Sequence, residues 1–135
     1  MEKAMEFQIT FPGGLRVDAE ADGMVIPTDQ PIQAGGKGSA PAPFSLFLAS
    51  IGTCAGIYVL SFCQNHGIPT EGIHLTQKMH FDPGSRRFDR IELQIHVPAD
   101  FPERHLKSLE RSADLCAVKK ALANPPEITV ASVVG

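Results

Sequence analysis

Charge is missing from the middle of this chain: residues 43–66 contain no lysine, arginine, aspartate or glutamate. The gap excludes an ordinary surface helix, which needs a polar face, and leaves a helix that is either buried or set in a bilayer. Other absences narrow the class. The N-terminal residues have no apolar run and no cleavage pattern, so no signal peptide is expected and the cytoplasm is the expected location. In that compartment three cysteines are read as free, metal-bound or redox-active thiols rather than as a structural framework. No cysteine pair has the close spacing of a zinc or thioredoxin-like site, and Gly35-Gly36-Lys37-Gly38 lacks the spacing of a phosphate-binding loop. A net charge of −3 argues against nucleic acid as a partner. Neither repeats nor low-complexity segments nor a boundary are present, so residues 1–135 read as one domain.

The uncharged stretch itself has the marks of one long helix. Pro43 suits a first helical position, Gly67 a left-handed cap, and Pro69 stops continuation. Such a helix runs about 36 Å, whereas a compact domain of this length is only about 28 Å across. A partner subunit is therefore expected. Glycines, serines, a threonine, two cysteines and a tyrosine dilute the helix and no basic flank marks a membrane border, which favours burial in protein over a bilayer. Ser45, Gly52, Gly56 and Cys63 fall near one line, with Val59 beside it, a small-residue stripe that admits close approach. Phe47, Ser50, Cys54, Tyr58 and Ser61 lie opposite. Cys54 and Cys63 are on different sides and cannot bridge each other.

Around the helix the pattern alternates between strands and loops. Residues 5–11, 15–21 and 24–26 read as an antiparallel meander, with Asp22-Gly23 as a hairpin turn. Residues 27–42, rich in proline and glycine, read as a long loop. Residues 73–81 and 91–97 alternate with matching parity, and a pairing sum near 170 sets His74 opposite His96 and His80 opposite Arg90. Those histidines lack a third ligand and read as solvent-facing rather than metal-binding. Residues 102–123 read as an amphipathic helix that turns Leu106, Leu109, Ala113 and Cys116 inward. Asn124-Pro125-Pro126 ends it, and residues 128–134 read as a last strand. Spacing and composition thus give a dimeric α+β domain with inward cysteines, for which packing and thiol chemistry both stay open.

The segment from Ser39 to Cys54, with Pro43 at its helix start, resembles the proline-led central helix of the OsmC/Ohr proteins. Ala113-Asp-Leu-Cys116-Ala-Val118 is similar to that family's second-cysteine motif, and Asp22-Gly23 with Pro31-Ile-Gln-Ala-Gly35-Gly36 to its loop. The resemblance runs from about residue 7 to the end, in the order β-β-β-α-β-β-α-β. It implies an OsmC-like α+β fold, an intertwined homodimer with antiparallel sheets wrapped around two long central helices. It also implies a thiol peroxidase that reduces organic hydroperoxides and is recycled by a lipoyl-type dithiol, with no other cofactor and no metal. Carried over, Cys54 is the attacking thiolate, Cys116 the resolving cysteine, and Arg16 the guanidinium that lowers the thiol pKa. One position departs. The family places Glu directly after the helix-start proline, where this chain has Phe44 and then Ser45. The alternative expectation is therefore a non-enzymatic OsmC-like dimer that binds an apolar small molecule or a partner.

Overall fold

Residues 5–135 are described by the computed structural model; residues 1–4, the start of the stretch read for a leader, lie outside the described residues. The chain divides into two compact units, one ending at Ala49 and the other starting at Ser50.

In the first unit β1 (Gln8–Gly13), β2 (Arg16–Ala21) and β3 (Met24–Thr28) form an antiparallel sheet in that order. Asp22 and Gly23 both take positive φ, at 50° and 77°, the backbone that a two-residue hairpin turn demands. Pro27 is accommodated because β3 is an edge strand, where a missing N–H breaks no ladder. The loop that follows holds one 3-10 turn, Ile32–Ala34, and is tied together by Asp29. That side chain is buried and accepts hydrogen bonds from the Ser39 hydroxyl at 2.6 Å, the Gln30 amide at 2.7 Å and the Ser39 amide at 3.1 Å. Gly36 packs so tightly on the Gln30 backbone that any Cβ there would collide with its carbonyl.

Helix α1 (Pro43–Asn65) spans the division between the units. It ends as the sequence requires: Gly67 takes φ 63° and the Ile68 amide donates back to the Cys63 carbonyl at 2.8 Å. By length and composition α1 could cross a membrane, and 28% of its most apolar window is buried.

In the second unit β4 (His74–Asp82) and β5 (Arg87–His96) pair antiparallel with His74 opposite His96 and His80 opposite Arg90, the register that parity dictates. A bulge after His80 then sets Phe81 opposite Phe88. The Asp82 carboxylate closes the turn by accepting from the Gly84 and Ser85 amides. Ile51, Ala55, Val59 and Cys63 are buried at four-residue intervals along α1, a spacing that keeps them on one side. Val59 and Cys63 meet Phe101 and Leu109 in the core, with Phe62, Leu75 and Ile95 against it.

The α+β architecture with antiparallel sheets is the expected one, and two details differ. The helix expected over residues 102–123 is a 3-10 turn, Glu103–His105, followed by α2 (Leu106–Asp114) and α3 (Ala117–Ala123). The Leu115 and Cys116 amides bond three residues back, to Ser112 and Ala113, which tightens and ends α2, and Cys116 turns extended at ψ 144°. The last strand is not formed: residues 124–135 carry no strand, and Ile128, Val130, Val133 and Val134 are exposed. Pro125-Pro126 halts α3, and a strand exists only when a neighbour takes its hydrogen bonds, which this chain alone does not supply. On α1 the buried line runs through Ile51, Ala55, Val59 and Cys63, beside the glycines of the small-residue stripe. A Cβ on Gly52 would strike the Gln77 side chain, with Leu93 behind it at 3.9 Å, whereas one on Gly56 would meet nothing within 4 Å.

Candidate active site

The three cysteines are free thiols in three different settings. Cys63 is fully buried in the core, and burial pushes its thiol pKa up. That leaves it protonated and inert at neutral pH. Cys54, two and a half turns earlier, is half-buried. Cys116 is buried, as its place on the inward face requires, and it caps α3: its Sγ accepts a hydrogen bond from the Lys119 amide at 3.4 Å.

A shared cavity and one hydrogen bond relate the neighbourhoods of Cys54 and Cys116. Ile51 lines the same cavity as Cys116, and the Ser112 hydroxyl donates to the Tyr58 carbonyl at 3.3 Å. Ile51 and Tyr58 are seven residues apart and so share one side of α1, with Cys54 between them in height and about 40–60° around the axis. The cavity itself encloses about 760 Å³ between α1, β5, α2 and α3, its apolar wall including Ile91, Leu93, Leu106 and Leu122. Glu110, Asp114 and Lys119 supply charge at it, and Cys54 is not part of its lining.

Arg16 belongs to the first unit, at the start of β2. Its Nη2 donates to both carboxylate oxygens of Asp18, at 3.3 and 3.2 Å. Side chains two apart on a strand share a face, so the pairing is local and set by the pleat. Asp18 is buried while the Arg16 side chain remains 41% exposed. Arg16 Nε is buried without a hydrogen-bond partner among the described residues. An ion pair this open contributes about 0–1 kcal/mol, while a stranded buried donor costs about 1–3 kcal/mol. Sequence reasoning singled out Arg16 and missed Asp18: the two-residue spacing puts both on one face of the strand but does not report that they bond.

The histidine pairs do other work. His74 and His96 stack at 4.6 Å between ring centroids, and Thr76 Oγ1 lies 2.9 Å from His96 Nε2. His80 Nε2 lies 2.5 Å from Glu92 Oε1, with Arg90 at 3.5 Å, and the His80 hydrogen bond, aided by the Arg90 charge, lowers the Glu92 pKa. No group of three metal-ligating side chains converges among the described residues. Phe44 lies against Phe47 at the start of α1, with ring centroids 5.4 Å apart.

Comparison with known proteins places this arrangement. The family described as OsmC-like protein matches residues 36–131, which takes in α1 and both Cys54 and Cys116. The chain belongs to the OsmC-like family. Its fold is shared with a Psychrobacter arcticus 273-4 protein named for osmotic stress induction and the detoxification response, at 22% identity and a TM-score of 0.74 over 90% of each chain. An OsmC-like protein from Mycoplasma pneumoniae aligns at 14% identity and a TM-score of 0.70, over 93% of this chain and 91% of the other. An organic hydroperoxide resistance protein from Elizabethkingia anophelis aligns at 20% identity and a TM-score of 0.58, over 93% of each. No curated protein sequence matches the chain.

Proposed function

We propose that this OsmC-like chain is a thiol peroxidase of the cytoplasm that reduces organic hydroperoxides, working as a homodimer. The observation that carries the reading is the bracketing of Cys54 by Ile51, which lines the cavity that Cys116 also lines, and Tyr58, whose carbonyl accepts from Ser112 on α2. The Cys54 thiolate attacks the peroxide oxygen, the O–O bond breaks, and the alcohol leaves with a proton while the sulfur becomes a sulfenic acid. Cys116 then displaces water from that sulfur and closes a disulfide. A lipoyl-type dithiol reopens it, regenerating two thiols and leaving with a disulfide of its own. Cys63, core-buried with its pKa raised, takes no part. The homodimer is supported by the incomplete cover of α1 and by Phe11, Ile9 and Met24 standing exposed on the β1–β3 sheet.

The test is purified protein given cumene hydroperoxide and dihydrolipoamide. Hydroperoxide consumption is expected, and stoichiometric oxidant without the dithiol should leave a Cys54 to Cys116 disulfide with the loss of two hydrogens. In Cys116→Ser, Cys54 should instead over-oxidise. Wild-type protein that stays folded and reduced under peroxide overturns the enzyme. The second reading, a dimer that binds an apolar small molecule without turnover, would then hold, and the 760 Å³ apolar cavity is what favours it.

A further inference from the structure

The end of α1 and the start of α2 meet through three rings. Phe62 and His66, one turn apart on α1, stack with centroids 4.1 Å apart and planes 21° from parallel. His105, the last residue of the 3-10 turn before α2, stands at 75° to Phe62 and 63° to His66, with centroids 5.9 and 4.9 Å away. The junction borders the core, where Phe62 and Leu106 lie against Val59, Cys63, Phe101 and Leu109. Its two imidazoles are held differently. His66 Nδ1 donates to the Phe62 carbonyl at 2.8 Å, among last-turn carbonyls whose partial negative charge is complementary to a cation. The His105 ring has no hydrogen-bond partner among the described residues and interacts with the two other rings. Charge near the cluster is one-sided. Residues 43–66 bring none, Glu103, Arg104 and Lys107 flank His105, and Glu71 and Asp100 lie on the adjoining loops. Among the described residues no carboxylate pairs with either ring; the histidine that has one is His80. Burial, the Arg104 charge and His66 hold the His105 pKa below its ordinary 6.5.

We propose that Phe62, His66 and His105 form an acid-released latch: neutral His105 holds the start of α2 to the end of α1, and a proton on His105 lets it go. An imidazole ordinarily gains its charge between about pH 8 and pH 5. A charged His105 would meet a like charge on His66 across 4.9 Å, with Arg104 beside it and no carboxylate to offset the repulsion. The unfolded chain carries no such penalty and binds the proton more readily. The junction is therefore fully stabilised above pH 6.5 and weakens as pH falls from there through the folded-state value. Release acts on the segment that bonds α1 through Ser112 and leads to Cys116. The latch is a property of the fold and stands whether or not the chain turns over hydroperoxides.

The test follows the amides of residues 68 and 105 by hydrogen exchange, corrected for intrinsic rates, between about pH 8 and pH 5, in wild type, His105→Phe and Arg104→Gln. These amides report the two sides of the junction, bonded to the Cys63 carbonyl at 2.8 Å and the Pro102 carbonyl at 3.0 Å. Wild-type protection should fall several-fold across the window while the His105 ring signals titrate over the same range. His105→Phe keeps a ring and removes the proton, so its protection should stay level. Arg104→Gln removes one charge that opposes the proton, so its ring titration should move to higher pH and its loss of protection should shrink. Level protection in wild type, or an equal fall in His105→Phe, overturns the latch. Where His105→Phe does not fold, Arg104→Gln decides: a pH profile identical to wild type overturns the latch.

Discussion

Cys63 and Cys54 share one helix and differ in what surrounds the sulfur. Desolvation raises the Cys63 pKa, and its place near the C-terminal end of α1 adds a partial negative charge that also opposes a thiolate. Cys63→Ala is therefore expected to leave hydroperoxide turnover unchanged and to cost about 1 kcal/mol in urea unfolding, the loss of one buried heavy atom. Lost turnover in a folded Cys63→Ala protein would show a role in the reaction. At this scale much was legible. Helical rotation alone separated the two cysteines, and the helical spacing of Leu106, Leu109, Ala113 and Cys116 turned Cys116 inward. Asp18 was not legible as Arg16's partner, because a strand pattern shows which residues share a face and not which of them bond.

Among the elements, the loop between β3 and α1 depends most on a single titrating group. Hydrogen bonds from the Ser39 hydroxyl, the Ser39 amide and the Gln30 amide hold the Asp29 pKa at about 2, below its ordinary 3.8. A folded-state pKa that lies below the unfolded one stabilises the loop fully above pH 3.8 and loses that contribution as pH falls through about 2. Amide protection at Gln30 and Ser39, corrected for intrinsic exchange, should accordingly drop across that window. Asp29→Asn should show low protection at neutral pH; equal protection in both proteins would contradict the clamp. Sequence parity gave the β4–β5 register outright because one slipped residue would turn every apolar side chain to the wrong face. The break at Leu115–Cys116 was hidden, since neither glycine nor proline marks it and the extended backbone is capped by the cysteine's own sulfur. The final strand was misread for another reason: residues 128–134 have the right composition, but strand formation depends on an edge to pair with, and no local pattern reports that.

For the whole molecule, the uncovered parts of α1 define what a second copy must do. Gly56 faces open space in the single chain while Gly52 is already closed over by Gln77. Gly56→Leu is thus expected to leave each chain folded and to weaken the dimer by about 1–3 kcal/mol, the typical cost of overpacking a close crossing. Light scattering across a dilution series reads this directly, and a wild type that is monomeric at all concentrations would remove the homodimer. The uncharged helix has one more consequence, for anyone who maps its disulfides. Trypsin finds no lysine or arginine between Lys37 and Lys78, so Cys54 and Cys63 leave the digest on the same peptide. A tryptic cross-link to the peptide of Cys116 is the same mass whichever of the two sulfurs formed it. Cleavage after Tyr58, inside the helix, separates them and lets the fragment itself name the reactive thiol.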